Sequence, residues 1–297
     1  CEGAGIKRRT GRQDCQSANE MRYRELYHEG TSCLELAEVV EASLDARLLL
    51  EYVCHTDRNR LLAHGDEEVE PQQELLYRKL LAERAVHVPL QYITGCQEFM
   101  GLPFLVNDQV LIPRQDTEIL VEEAMRELHD GMSVLDMCTG SGCIVLSLLH
   151  YSNDCKGVGV DISSGALEVA KRNAAALSGE VDFRTGDLFA ALEPGVKFDM
   201  LVSNPPYIPS DVIPTLMEEV RDHEPVCALD GRTDGLYFYR RISKEAIPYL
   251  HRGAWVFLEI GFDQGAAVSR IFREAGYREI EIVKDFSGHD RVVKCMV

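Results

Sequence analysis

The sequence predicts an α/β protein in which a mostly parallel β-sheet is covered by helices and preceded by a small helical bundle. Helical periodicity fills residues 21–95, whereas the chain after residue 130 alternates short apolar runs with helical or loop segments. That alternation favours a parallel sheet, because parallel strands need long crossover connections. We therefore expect a flexible leader over 1–20, a helical domain over 21–95, a β-hairpin linker over 96–113 and a second domain over 114–297.

The composition is ordinary for a globular protein, with 45% hydrophobic and 27% charged residues. No apolar run approaches the roughly 20 residues that span a bilayer, and the N-terminus lacks the apolar segment of a secretory signal. We expect a cytoplasmic protein with no membrane partner. The net charge of −18 arises from 49 acidic and 31 basic residues, which disfavours nucleic acid as a substrate and favours a protein.

The ten cysteines are scattered without a CxxC pair, and we interpret them as buried thiols. Cys138 and Cys143 are the one close pair. No His or carboxylate cluster completes a zinc-like spacing around them, so the sequence predicts no metal site.

In the N-terminal domain, three segments carry apolar residues at spacings of three and four, namely 32–42, 43–54 and 74–85. This period is typical of helices packed on one face. Ser43 is a candidate N-cap for the second helix, and Pro89 would end the last one. Next, β-favouring residues on both sides of Asn107 and Asp108 predict a hairpin that bridges the two domains.

The second domain is predicted to contain five parallel strands and an antiparallel edge pair. The final two strands follow each other without an obvious helix, which favours an antiparallel edge pair. The predicted strands are 132–137, 156–162, 181–187, 198–204, 254–260, 278–283 and 291–297.

A glycine-rich turn follows the first of these strands, in the segment VLDMCTGSGCIVLSLL. Gly140 and Gly142 let the backbone pass close to a ligand where a Cβ would collide. In such a sheet, ligands lie outside the carboxyl ends of the strands, so a nucleotide-like cofactor is expected here. Val145 stands where the dinucleotide fingerprint has its third glycine, which weakens an NAD interpretation.

Two acidic residues end the next two strands. Asp161 can accept hydrogen bonds from both hydroxyls of a ribose, or alternatively cap a helix, although Ser163 is available for that task. Asp187 would face the exocyclic amine of an adenine, with a turn-forming Asp as the alternative.

Asn204, Pro205, Pro206 and Tyr207 directly follow the fourth strand. The Asn204 side-chain oxygen and the Pro205 carbonyl could each accept one N–H of a planar NH₂ group, which would aim the nitrogen lone pair at an electrophile. The prolines fix the loop, and Tyr207 offers a flat face to a planar group. The alternative is a simple strand-ending turn.

Eight motifs within residues 21–297 include or accompany the glycine-rich turn and the Asn204–Tyr207 segment. They are LDARLLL (44–50), PLQYITG (89–95), LIPRQDTEILVE (111–122), LDMCTGSG (135–142), NPPYI (204–208), ALDGRTDGL (228–236), LEIGFDQG (258–265) and DFSGHDRVV (285–293). Together they resemble the bacterial release-factor glutamine methyltransferases, which are class I S-adenosylmethionine-dependent methyltransferases with a Rossmann-like sheet. The resemblance implies methyl transfer to the glutamine side chain of the Gly-Gly-Gln motif of peptide chain release factors, with S-adenosylhomocysteine as product. It also implies that the small helical domain helps to hold the protein substrate.

The resemblance also implies site residues by position. The cofactor site would comprise Asp136, Cys138, Thr139, Gly140, Ser141, Gly142, Asp161, Asp187, Leu188 and Asn204, and the catalytic and glutamine site Asn204, Pro205, Pro206 and Tyr207. The family often has Gly at Cys138 and Trp at Leu188, and commonly Pro at Gln115. The Cys138 side chain must therefore point away from the cofactor, and the contact on the adenine side is expected to be thinner.

Two charged features allow more than one interpretation. Arg114 could reach a cofactor carboxylate or the substrate backbone, but we favour a surface salt bridge with Asp116 or Glu118. The acidic stretch 217–225 is expected to be a solvated loop or helix near the site. Its alternative is a contact with a basic release-factor surface.

We expect a monomeric enzyme that acts on release factors. Three other functions remain as alternatives. A ribosomal-protein glutamine methyltransferase is close, but the DTE after PRQ favours release factors. A nucleic-acid adenine N6-methyltransferase would use the same tetrapeptide on a flipped base, and the acidic charge opposes it. A non-catalytic binding module would tolerate Asn204→Ala without a change in any activity.

Overall fold

The computed structural model describes residues 21–297, and its contacts divide the chain into one compact unit that ends at Val86 and a second from His87 to Val297. The leader expected over residues 1–20 lies outside the described residues. The domain boundaries at 95 and 113 stay predictions. In the described part of the chain, no helix combines the length and the apolar character needed to cross a membrane.

The first unit is a small helical bundle, with its core between the first, second and fourth helices. Its helices are α1 (Tyr23–Leu36), α2 (Ala42–Cys54), α3 (Arg58–Ala63) and α4 (Pro71–Ala85). Pro71 occupies the first turn of α4, where its missing N–H costs no helical hydrogen bond.

Two details of the first unit differ from the sequence prediction. The helix predicted over 32–42 is wrong, because α1 ends at Leu36 and Glu38 takes a left-handed conformation. Val39 is buried while Val40 is exposed, so the apolar spacing joins residues of a helix and a turn. Ser43 does not cap α2, which begins one residue earlier at Ala42.

Tyr77 fills the core of the first unit. An added Cβ at Gly30 would lie 2.0 Å from the Tyr77 hydroxyl oxygen, so α1 passes at a distance that only glycine permits. The Tyr77 hydroxyl donates to the Ala46 carbonyl at 3.1 Å, and Arg84 pairs with Asp45 at 2.7 Å. Buried polar groups of this kind are satisfied by one another, which fixes how the helices pack.

The second unit begins with α5 (Leu90–Thr94) and a hairpin of β1 (Cys96–Phe99) and β2 (Leu102–Leu105). The hairpin forms, but its predicted turn at Asn107 and Asp108 is wrong. Met100 and Gly101 make the turn, with φ of 52° and 71°, as a tight two-residue connection between twisted strands requires. Asn107 forms a separate turn after the hairpin, where its side-chain oxygen accepts the Gln109 N–H at 3.0 Å.

Seven strands form one sheet in the order β5-β4-β3-β6-β7-β9-β8. Strands β5, β4, β3, β6 and β7 are parallel, whereas β9 lies antiparallel to β7 and to the edge strand β8. Both the mostly parallel sheet and the antiparallel edge pair are confirmed. The strands are β3 (Ser133–Met137), β4 (Lys156–Asp161), β5 (Val181–Thr185), β6 (Phe198–Ser203), β7 (Leu250–Glu259), β8 (Arg278–Lys284) and β9 (Asp290–Met296).

Helices cover both faces of this sheet, because successive strand residues point to opposite sides. Leu135 and Met137 pack in one apolar layer, while Val134 packs in the other with the hairpin residues Phe99 and Phe104. The helices are α6 (Gln115–Glu127), α7 (Cys143–His150), α8 (Ser164–Leu177), α9 (Glu218–Arg221), α10 (Val226–Leu229), α11 (Tyr237–Glu245) and α12 (Gly265–Glu274).

The strand order reverses between β3 and β6. From β3 the chain builds outward to β4 and β5, then returns to the other side of β3 with β6 and β7. The loops that leave β3 and β6 therefore diverge, and the space between them at the carboxyl ends is the usual ligand site of such a sheet.

Candidate active site

A cavity of about 390 Å³ opens at the carboxyl ends of these strands. Its wall is formed by the glycine turn after β3, the ends of β4 and β5, the start of the loop after β6, and α10. Most of the sequence-predicted site residues line it together: Cys138, Thr139, Gly140, Ser141, Asp161, Asp187, Leu188, Asn204 and Pro206.

Asp161 holds the glycine turn from the neighbouring strand. One of its carboxylate oxygens accepts the Gly140 N–H at 2.9 Å, and the other accepts the Ser163 N–H at 2.9 Å. The Ser163 hydroxyl caps α8 by accepting the Ala166 N–H, as predicted, so Asp161 is not the helix cap. Burial raises the pKa of Asp161, and the two backbone hydrogen bonds oppose that shift.

Gly140 shows why the turn needs glycine. It has a φ of 55°, a left-handed conformation that favours glycine, and an added Cβ would meet nothing within 4 Å. The conformation, and not a lack of space, is what constrains this position. Open space above the residue is what a ligand that packs on the backbone requires.

Asp136 lies behind the turn and outside the cavity wall. The residue is fully buried, and one of its oxygens accepts from the Thr139 hydroxyl at 2.6 Å and from the Val145 N–H at 3.4 Å. Burial raises the pKa of Asp136 to about 7. The structure therefore gives Asp136 the role of supporting the turn, in place of the predicted cofactor contact, and Gly142 likewise lies outside the cavity lining.

Asp187 lines the cavity in contact with a residue that the sequence analysis missed. Its carboxylate pairs with Arg241 of α11 at 2.7 Å, and Arg241 also pairs with Glu245 at 2.7 Å. Asp187 makes no side-chain cap to the short 3₁₀-helix that follows it. Leu188, the next residue, is buried and lines the cavity.

Asn204 and Pro206 reach the cavity, whereas Pro205 and Tyr207 are not among its lining residues. The Tyr207 hydroxyl donates to Glu259 at 3.1 Å, and its carbonyl accepts from the Gln264 side chain at 2.9 Å. Burial raises the pKa of the Tyr207 phenol. Tyr207 thus anchors the loop, and its predicted role as a flat face for the substrate gains no support from its position.

A second anchor holds Asn204. Its side-chain nitrogen donates to the Thr117 hydroxyl at 3.3 Å, and that hydroxyl donates to Glu259 at 2.5 Å. Thr117 lines the cavity, while Glu259 is buried at the end of β7. The motifs DTE and LEIG contain these two residues, but only the folded chain shows that they meet.

Arg114 forms a salt bridge, as we favoured, but with a distant partner. It pairs with Glu224, whose second oxygen accepts the Ile112 N–H at 3.4 Å. The partners predicted from the sequence are wrong, because Asp116 pairs with Arg291 and Glu118 accepts the Met100 N–H.

The acidic stretch 217–225 is only partly solvated. Glu224 is 4% exposed and its ion pair clamps the start of the segment that carries α10 over the cavity. Of the other two arginines in the cavity wall, Arg232 pairs with Asp230 at 3.1 Å and Arg241 with Asp187. The side chains of Arg114, Arg232 and Arg241 in the cavity wall are thus each paired with a carboxylate of the protein.

Comparison with known proteins places this site in a family. The family model for the PrmC N-terminal domain matches residues 25–95, and that for the methyltransferase small domain matches residues 115–219. The chain is 43% identical over 255 residues to the release factor glutamine methyltransferase of Geobacter sulfurreducens. This alignment covers 86% of the chain and 89% of that protein. For the enzyme of the same name from Clostridium acetobutylicum, the identity is 44% over 254 residues, covering 84% and 89%. The chain belongs to the release factor glutamine methyltransferase family.

This release factor glutamine methyltransferase family member also shares its fold with a solved methyltransferase structure from Pyrococcus furiosus, with a TM-score of 0.51 and 17% sequence identity. The match covers 67% of this chain and 90% of that chain. The resemblance inferred from the motifs is confirmed, as is the predicted class of enzyme. Within the family framework, Cys138 has a left-handed φ of 62°, lines the cavity and packs against an apolar layer of the sheet.

Proposed function

We propose that this protein transfers a methyl group from S-adenosylmethionine to the side-chain amide nitrogen of the glutamine in the Gly-Gly-Gln motif of peptide chain release factors. The observation that supports this most is the position of Asn204 in the same cavity wall as the glycine turn and Asp161. The side-chain oxygen of Asn204, which can accept a hydrogen bond from an amide, and a site suited to a nucleotide therefore line the same cavity. The relatives carry the name of that reaction over most of this chain.

The cavity fits the proposed cofactor in size and in chemistry. Its volume of about 390 Å³ lies within the usual range for small-ligand pockets. Asp161 would accept from the ribose hydroxyls, Gly140 would let the cofactor pack on the backbone, and Asp187 would face the adenine amine. S-adenosylmethionine supplies an electrophilic methyl group on a sulfonium sulfur when it is bound.

The chain's own contribution is to hold the glutamine. An amide nitrogen is a poor nucleophile because its lone pair is delocalised into the carbonyl, so the N–H bonds must be held in the right direction. We assign that task to the Asn204 side-chain oxygen and the Pro205 carbonyl, each accepting one N–H. Pro205 and Pro206 keep φ near −65°, which leaves the loop little conformational entropy to lose.

The remaining assignments are part of the same proposal. The release factor is the protein partner, the protein acts in the cytoplasm as a monomer, and the helical domain over 21–95 helps to hold the release factor. The −18 net charge supports a protein substrate over a nucleic acid.

The test is methyl incorporation from labelled S-adenosylmethionine into a purified release factor. We expect incorporation into the wild-type factor and none after Gln→Ala in its Gly-Gly-Gln motif. Ribosomal proteins and DNA serve as competing substrates in the same assay. Incorporation into either of these, with none into the release factor, would overturn the proposal.

A further inference from the structure

Asn204 is the end of a chain of three hydrogen-bonded side chains. The Asn204 side-chain nitrogen lies 3.3 Å from the Thr117 hydroxyl oxygen, and the same oxygen lies 2.5 Å from one oxygen of Glu259. The other Glu259 oxygen accepts the Tyr207 hydroxyl. Thr117 is 2% exposed and Glu259 is 1% exposed, so the chain runs through the protein interior.

The direction of this chain follows from counting protons. A threonine hydroxyl has a single proton, whereas an ionised carboxylate has none and can only accept. Since the Thr117 proton is used on Glu259, the Thr117 oxygen can only accept from its other neighbour. That neighbour must then be the NH₂ end of the Asn204 amide, because its C=O end would place two acceptors together.

Glu259 lies between two hydroxyl groups and the positive charge of Arg291. Burial raises the pKa of Glu259, and the charge of Arg291 and the hydrogen bonds from Thr117 and Tyr207 oppose that shift. Both hydroxyl groups donate to the carboxylate in this structure.

We propose that Glu259, acting through Thr117, fixes the orientation of the Asn204 amide so that its oxygen faces the cavity. This inference deepens the proposed function and rests on it. An asparagine amide is nearly symmetric in shape, and without such a constraint it could turn by 180° and present NH₂ to the substrate NH₂. Thr117 and Glu259 are thus positioning residues for the glutamine site.

Four variants and one control test the proposal. Thr117→Val keeps the shape and removes the hydroxyl, and Thr117→Ser keeps the hydroxyl. Glu259→Gln can donate to Thr117, which frees the Thr117 proton for the Asn204 oxygen and reverses the chain. Tyr207→Phe removes the other hydroxyl held by Glu259, and Ser243→Ala, which removes a buried hydroxyl bonded to the Arg240 carbonyl in α11, is the matched control.

We expect Thr117→Val to lower kcat about 10- to 100-fold, as misorientation of a positioning group does, while S-adenosylhomocysteine affinity measured by calorimetry changes less than about twofold. Thr117→Ser should restore kcat. Glu259→Gln should lower kcat at least as much as Thr117→Val does. When Glu259→Gln is added to Thr117→Val, the further loss in kcat should be no larger than the loss caused by Tyr207→Phe, because Glu259 acts on Asn204 through Thr117. Ser243→Ala should match the wild type.

A second readout does not depend on turnover. In ¹⁵N-labelled protein, the side-chain NH₂ signal of Asn204, assigned with Asn204→Ala, should exchange slowly with solvent in the wild type and in Thr117→Ser. It should exchange faster in Thr117→Val. An Asn204 signal with the same exchange rate in Thr117→Val, or an unchanged kcat, would overturn the proposal.

The two proposals fail differently. If wild-type protein does not methylate the release factor, the proposed function is wrong whatever the variants do. If the wild type is active and Thr117→Val and Glu259→Gln are as active, or if Thr117→Ser is as impaired as Thr117→Val, only the positioning role is wrong.

Discussion

Asn204 depends on residues that stand far from it in the sequence. Its hydrogen-bond partner Thr117 lies 87 positions earlier, and Thr117 in turn binds Glu259, 142 positions further on. Thr117 lies in the first turn of α6, Asn204 follows β6 and Glu259 ends β7, so the fold brings three separate elements together at one edge of the sheet. At the scale of single residues, the site therefore consists of a half-buried acceptor that lines the cavity and the buried groups that orient it.

Asn204→Ala removes the side-chain acceptor and leaves the loop backbone in place. We expect kcat to fall about 10²- to 10³-fold, because a preorganised hydrogen-bond partner is lost where the reaction needs it. Affinity for S-adenosylhomocysteine should fall much less, since Asp161 and the glycine turn are unchanged. Steady-state kinetics with the release factor and calorimetry with S-adenosylhomocysteine measure the two effects. Equal losses in both would make Asn204 a cofactor ligand only, and no loss would favour a non-catalytic module.

Asp136 makes the stability of the protein depend on pH. Its pKa is about 7 in the folded protein, and about 3.9 is expected for an unfolded chain. Between these values the folded state holds a proton that the unfolded state has lost, so the free energy of unfolding falls as pH rises from about 4 to about 7 and then levels off. The full effect is at most about 4 kcal/mol.

Asp136→Asn should remove this dependence. We expect the Tm of the variant minus the Tm of the wild type to increase as pH rises from about 5 to about 7, because residue 136 of the variant has no proton to lose. Thermal unfolding followed by circular dichroism in matched buffers measures the difference. Parallel Tm curves for the two proteins would contradict the pKa of about 7.

At the scale of elements, the segment that carries α10 closes one side of the cavity. Pro225 to Ala228 line the cavity, and the buried Glu224 just before them binds Arg114 and the Ile112 N–H. Because Arg114 stands just before α6, the pair joins the wall to the body of the sheet domain. The ion pair therefore holds the start of this wall, while the Ile208 N–H holds its end by donating to the Leu229 carbonyl at 3.0 Å.

Glu224→Gln should loosen this wall. The variant keeps the side-chain shape and loses the charge that Arg114 needs, and removing one partner of a buried pair is costly, although exposure of Arg114 reduces the effect. We expect S-adenosylhomocysteine affinity to fall about tenfold, equal to about 1.4 kcal/mol. Glu274→Gln at the exposed end of α12 is the matched control. Unchanged affinity in calorimetry would show that the pair does not shape the cavity.

Structural elements could be predicted from the sequence where one segment determines them alone. They could not be predicted where two distant segments must come into contact. The strand β4 and its terminal Asp161 follow from an apolar run that ends in an acid, and the carboxyl ends of parallel strands necessarily lie together. The hairpin turn at Met100 and Gly101 depended on backbone conformation, which propensity alone does not show. Glu224 looked like part of a solvated acidic stretch, because nothing local indicates that it becomes buried against Arg114.

At the scale of the whole molecule, the dominant property is the excess of acidic residues, 49 against 31 basic ones. Such a charge repels polyanions and attracts basic surfaces over about a Debye length. A release factor with a basic face would be drawn toward the enzyme, and the exposed part of the stretch 217–225 is one region where it could meet an acidic surface.

This predicts a salt effect on substrate association. We expect kcat/KM for an intact release factor to fall about tenfold between about 50 mM and about 500 mM NaCl, because steering between opposite charges is screened. A short uncharged peptide that contains Gly-Gly-Gln is the control and should show little change. The same salt dependence for both substrates would exclude long-range attraction.

The order of Thr117, Asn204 and Glu259 along the chain has a consequence for biosynthesis. A growing polypeptide presents Asn204 before β7 has been made, and until Glu259 arrives the Thr117 proton has no fixed acceptor. A nascent chain can thus complete its glycine turn while the amide beside it is still free to rotate. Competence for methyl transfer should appear only after translation has passed β7.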